Sequence, residues 1–158
     1  MANDLLPTTI IIFGASGDLT KRKLIPALFN LCRKGRLPGN LNIVGFSSSA
    51  FTNETFRKRM SESIQGLELE AGIQDECEKY LSKIHYFVGN YKKLEDYQGL
   101  NKFLKNLEGE KSNRIYYLAT PPVLFLEIVN KLGTAGMLIE EDYETNKQKE
   151  SLWRRVVI

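Results

Sequence analysis

Residues 11–31 read IIFGASGDLTKRKLIPALFNL, and the reading of this stretch decides the fold. The run from Thr8 to Phe13 is apolar and rich in β-branched residues, and it stops at Gly14, the pattern of a buried strand. Beyond the glycines, Leu24, Ala27, Leu28, Leu31 and Cys32 recur at the spacing of one helix face. Gly14 and Gly17 between them are either a bare turn or a loop that lets backbone amides approach a phosphate in front of the helix's positive end. Ser16 and Thr20 offer hydroxyl donors to such an anion, and Lys21, Arg22 and Lys23 follow directly. The spacing G-x-x-G is neither the dinucleotide fingerprint nor a P-loop, so the fold around it has to decide. Pro26 has no N–H, which predicts either a regular helix beginning near Lys23 or a kink there.

Outward from that stretch, strand and helix patterns alternate. Leu41 to Phe46 and Ile84 to Gly89 read as the second and third strands. Between them lie helices over Thr52 to Ile64, with Thr52 as N-cap, and over Gln74 to Ser82. A helix from Leu94 to Leu107 leads to a fourth strand, Arg114 to Ala119, closed by Thr120, Pro121 and Pro122. Val123 to Leu132 is a proline-opened helix, and RRVVI at the end begins a fifth strand. Gly133 to Ser151, acidic and polar, is expected to be a solvated loop or a frayed helix. This order predicts an α/β fold, a Rossmann-like doubly wound parallel sheet with helices on both faces. The glycine turn then lies at the carboxyl edge, near the topological switch point where such folds bind ligands. From the residues alone this is a dinucleotide-binding domain of unspecified cofactor.

The chain has 158 residues, 42% hydrophobic and 26% charged, enough for one domain with a real core. No apolar run reaches the roughly 18 residues of a membrane span. The opening MANDLLPTT lacks the basic and apolar regions of a secretory signal, so a cytoplasmic protein without membrane association is expected. The net charge of +3 does not argue for nucleic acid. Cys32 and Cys77 are isolated thiols without CxxC spacing, and His85 has no cluster of ligand types beside it, so neither a disulfide nor a metal site is expected.

The stretch GASGDLTKRKLIPALFNL resembles the opening motif of the glucose-6-phosphate dehydrogenase family. LPGNLNIVGF is similar to that family's second strand, FRKRM to the following helix and YYLATPP to its fourth strand and proline loop. RRVVI resembles the strand that leads into the family's E-K-P-F-G signature. The resemblance implies an NADP-binding domain over residues 1–158, with NAD use left open. Gly14, Ala15, Ser16, Gly17, Asp18, Leu19, Thr20 and Lys21 would form the phosphate-binding loop. Asp18, as an anion, is expected to serve as a helix-start acceptor and not to touch phosphate. Thr120, Pro121 and Pro122 would lie near the nicotinamide, and Asn90 and Tyr91 near the adenine half.

Two positions depart from the family pattern. Ser48 stands where an arginine for the 2′-phosphate is expected, with Ser47 and Ser49 beside it and no acidic residue of the kind that holds an NAD ribose. Lys21 or Arg22 would then have to supply the charge. Phe125 replaces a tyrosine. The family's E-K-P-F-G lysine and its general-base histidine would come after Ile158, together with the glucose 6-phosphate site. This chain is therefore expected to be inactive alone and to belong to a longer, homo-oligomeric enzyme, with His85 in a packing role. A stand-alone dinucleotide-binding module is the alternative. A third reading is an interaction fragment whose exposed apolar sheet surface promotes self-association.

Overall fold

A computed structural model of the chain describes residues 6–64, 73–109, 111–145 and 148–158. Its elements run β1 (Thr8–Phe13), α1 (Ile25–Arg33), β2 (Leu41–Ser47), α2 (Asn53–Glu62), α3 (Ile73–Ser82), β3 (Ile84–Val88), α4 (Leu94–Glu108), β4 (Asn113–Leu118), α5 (Phe125–Thr134), β5 (Glu141–Thr145), β6 (Gln148–Leu152) and β7 (Arg154–Val157). Five strands form one sheet in the order β3-β2-β1-β4-β7, every pair parallel. The chain leaves the centre in opposite directions from β1 and β4, so the switch point lies between their carboxyl ends.

Each strand sends alternate residues to opposite faces, and each face has its own core. Ile11, Phe13, Val44, Phe46 and Tyr116 pack with Tyr97, Leu100 and Leu104 of α4 and Ile128 and Leu132 of α5. On the other face Ile12, Ile43, Ile84 and Tyr86 pack with Ile25 of α1 and with Phe56 and Met60 of α2. Both faces are covered, as the alternating pattern predicts. Beside α1, however, Leu24, Leu28, Leu31, Ile115, Tyr117 and Val157 line an open apolar groove.

Local chemistry sets the helix ends. The Thr52 hydroxyl accepts from the Thr55 amide at 3.1 Å, capping α2 as expected. Gly35, at φ +61°, closes α1 by donating to the Cys32 carbonyl, while the Arg36 amide returns to Leu31. A π-helical turn over Thr20–Leu24 runs without a break into α1, and Pro26, which has no N–H to continue the α-helical ladder, follows directly on that wider turn. Cys32 is half-buried on α1, and the side chain of Cys77 lies outside the described residues.

Gly133 to Ser151 departs from expectation. Part of it forms an antiparallel ribbon, β5 against β6, with Asp142 opposite Ser151 and the Ser151 hydroxyl donating to Asp142 Oδ1 at 2.6 Å. The strands are polar on both faces, so they carry no hydrophobic alternation by which a strand is recognised.

At the amino end of the sheet a charged pair is enclosed. Arg114 donates through Nη2 to Glu108 Oε2 at 2.7 Å, the two side chains being 5% and 2% exposed. Its Nε also reaches both carboxylate oxygens, and its Nη1 donates to Asn101 Oδ1 at 2.9 Å.

His85, on the edge strand β3, rests against the Phe103 ring at 6.0 Å. Burial, and then the charge of Arg57, lower its pKa from the ordinary 6.5. The unfolded chain therefore takes up the proton first, and stability falls as pH drops below about 6.5 toward the folded value. His85→Gln should flatten that slope when urea midpoints are compared from about pH 7.5 down to about pH 5.5. An unchanged slope would assign the pH response to other groups.

Candidate functional site

The carboxyl ends of β1, β2 and β4 converge on Gly14. Its φ is +87°, and a Cβ there would lie 2.3 Å from the Ala119 carbonyl oxygen, so only glycine fits. The loop is tied down by its own backbone. Gly14 and Ala15 amides both donate to the Phe46 carbonyl, at 3.0 and 3.4 Å, and the Gly17 amide returns to Gly14 at 2.9 Å. Ala15 seats in β2 where Gly45 leaves room, since a Cβ on Gly45 would come within 2.7 Å of the Ala15 methyl. The helical run beginning at Asp18 then opens toward the loop, and the first amides of a helix have no intrahelical partners. This is an anion-binding geometry.

The hydroxyls divide differently from the sequence expectation. Thr20 is fully buried, and its Oγ1 donates to the Gly14 carbonyl at 3.1 Å. It therefore braces the loop from inside and does not face a phosphate, because the turn from Gly14 to Thr20 folds its side chain under the backbone. Ser16 is half-buried and accepts from Ser47 Oγ at 2.8 Å, which leaves its own proton for an outside acceptor. Ser47 in turn lies 2.8 Å from the Tyr86 hydroxyl, and Tyr86 donates to the Ser49 carbonyl at 2.8 Å. A hydroxyl network thus joins β3, β2 and the glycine loop.

The remaining expected residues fall into two sets. Tyr91 reaches the loop: its ring is 5.8 Å from Phe46. Burial raises the Tyr91 phenol above the ordinary tyrosine value, with the Gly14 backbone and Ser47 hydroxyl opposing the rise. Thr120 packs against Gly14 and has a buried Oγ1 with no hydrogen-bond partner among the described residues. Asn90, by contrast, builds the turn into α4, with its amide on Asp96 Oδ2 and its Oδ1 accepting from Lys92. Pro121 and Pro122 are exposed at the start of a 3₁₀ turn, and Ser48 is exposed at the end of β2.

Cations expected near the phosphates are already engaged. Lys21 pairs with Glu62 at 3.8 Å, and Arg22 with Asp18 at 3.0 Å. Asp18 thus receives a guanidinium, and both it and Arg22 lie largely in solvent. The sequence reading missed Arg59. From α2 its Nη2 reaches the Ser16 carbonyl at 3.4 Å, and its Cζ sits 5.8 Å from the centre of the Phe51 ring. Its Nε is buried without a hydrogen-bond partner among the described residues. No pattern in the sequence distinguishes this arginine from Arg57 or Lys58.

The family model described as the NAD-binding domain of glucose-6-phosphate dehydrogenase matches residues 11–158. The chain belongs to the glucose-6-phosphate dehydrogenase family. It is 38% identical over 144 residues to the glucose-6-phosphate 1-dehydrogenase of Schizosaccharomyces pombe, covering 85% of this chain and 29% of that protein. The enzyme of Chlamydia muridarum is 36% identical over 156 residues, covering 96% of this chain and 30% of the relative. A solved glucose-6-phosphate dehydrogenase in complex with its substrate glucose-6-phosphate superposes with a TM-score of 0.78 at 32% identity, covering 100% of this chain and 31% of that one. The chain thus spans about three tenths of the length of these family members. The doubly wound sheet with a glycine turn at its switch point is the fold that the family likeness implies. Among the described residues no helix is long and apolar enough to cross a membrane, and no cluster of metal-ligand side chains occurs.

Proposed function

We propose that residues 1–158 form the coenzyme domain of a glucose-6-phosphate dehydrogenase and hold NADP at the carboxyl edge of the sheet. One observation carries the reading: Gly14, packed on Ala119 with no room for a Cβ, turns β1 directly into a helix N-terminus at the switch point. The residues there fit the group. Helix-start amides and the outward-donating Ser16 hydroxyl suit the pyrophosphate oxygens, and the unpartnered Thr120 Oγ1 offers a hydrogen bond from the β4 side. Tyr91 supplies an aromatic wall on the β3 side, where the adenine half is expected. The absence of a carboxylate among Ser47, Ser48 and Ser49 favours NADP over NAD.

When bound, NADP supplies the hydride acceptor. In the whole enzyme the C1 hydroxyl of glucose 6-phosphate is oxidised to the lactone, which requires a sugar site and a general base held against the nicotinamide. His85 is not that base. It is the second residue of β3, and its register partner in β2 is Val44, three residues before that strand's carboxyl end at Ser47. In this reading the base and the sugar site lie outside residues 1–158, and the whole enzyme is a cytoplasmic homo-oligomer.

Parallel titrations with NADP and NAD test the assignment. NADP should bind at least about ten-fold tighter, or about 1.4 kcal/mol, and Ser48→Arg should widen the gap by placing a guanidinium at the exposed end of β2. Failure of both nucleotides to bind at millimolar concentration would remove the assigned site.

A further inference from the structure

We infer that Arg59 of α2 supplies the positive charge for the 2′-phosphate of NADP, in place of an arginine at position 48; this rests on the coenzyme assignment above. Three observations lead to Arg59 and away from its neighbours. First, Lys21 and Arg22 beside the loop already face carboxylates, Glu62 and Asp18, the latter pair in solvent. Arg59 makes no ion pair among the described residues. Second, its donors are underused. A guanidinium carries five N–H groups, yet Arg59 has one long contact, 3.4 Å from Nη2 to the Ser16 carbonyl, and its enclosed Nε has no partner among the described residues.

Third, the side chain is held where a 2′-phosphate would come. Phe51, 5.8 Å below the guanidinium, belongs to the segment that leaves β2 through Ser47, Ser48 and Ser49. Ser16 belongs to the pyrophosphate loop. The guanidinium therefore stands between the loop that binds the bridging phosphates and the strand end that reads the ribose. An anionic group at this place would pair the charge through the two Nη donors, as a bidentate contact does. The charge absent from the loop after β2 is supplied from the second turn of α2, and from the side.

The test compares 2′,5′-ADP with 5′-AMP, two probes that differ by the 2′-phosphate, in calorimetric titrations of the protein. The unmodified protein should prefer 2′,5′-ADP by about ten-fold or more. Arg59→Gln should abolish most of that preference while leaving 5′-AMP affinity within about two-fold, which also shows that the variant is folded. Arg59→Met keeps the apolar stem against Phe51 and should behave the same way, so the result stands if the glutamine variant does not fold. Arg22→Gln should keep the preference. A preference that survives both Arg59 variants overturns the inference and leaves the coenzyme site standing. A protein that binds neither probe overturns the coenzyme assignment itself, and this inference with it.

Discussion

Gly14→Ala is expected to lower both stability and nucleotide affinity sharply. The added methyl would have to occupy space 2.3 Å from the Ala119 carbonyl oxygen and 3.2 Å from Thr120 Cγ2, at a backbone φ of +87°. A left-handed conformation costs a non-glycine residue about 1–2 kcal/mol and forced overpacking about 1–3 more, so a loss of about 2–5 kcal/mol in the urea unfolding free energy is expected. Relief of the clash would push β4 and the loop apart, and it would break the paired bonds from Gly14 and Ala15 to Phe46. Gly17→Ala is the matching control. Its φ is not in the left-handed range and its nearest obstacle is a single oxygen at 3.1 Å, so it should cost less than about 1 kcal/mol. Equal losses for the two variants would mean that the loop is not anchored at Gly14.

The second large effect concerns the other end of the sheet. Glu108→Ala would leave the Arg114 guanidinium enclosed without its carboxylate, and the guanidinium of Arg154, whose pKa burial and Arg114 both lower, lies close enough to repel it. Breaking one side of a buried pair costs about 3–5 kcal/mol, read here as a drop in the urea midpoint with unchanged m-value. Replacing both partners by apolar residues, Glu108→Leu with Arg114→Met, should recover most of that loss, because the desolvation cost then disappears with the charges. Recovery of nothing would show that the pair contributes through its contact with Asn101 or through packing instead.

The elements were legible where burial writes a pattern into the chain. The runs TTIIIF and LNIVGF have consecutive buried residues, RIYYLA is buried on alternate residues, and the β-branched and aromatic content of all three marks them as strands. Gly14 was legible because a strand, a glycine and a helix follow in immediate succession. The ribbon of β5 and β6 was not, since its sequences EDYET and QKESL carry no hydrophobic alternation. Within the site, the gaps have one cause. Ser47 meets Ser16 across 31 positions, Tyr86 meets Ser47 across 39, and Arg59 meets Ser16 across 43. Such contacts are products of the sheet order β3-β2-β1, not of any local motif. Thr20 illustrates the opposite error. Its place after the glycines suggests a phosphate donor, yet the turn consumes its hydroxyl internally.

The most direct measurement is a two-dimensional amide NMR titration of the 158-residue chain with NADP. Binding at the carboxyl edge predicts that the largest shift changes fall on Gly14 to Lys21, Ser47 to Ser49, Tyr91 and Thr120, with Arg57, Lys83 and the ribbon of β5 and β6 unmoved. Changes centred on the apolar groove beside α1, or spread evenly over the chain, would contradict a dinucleotide site at Gly14.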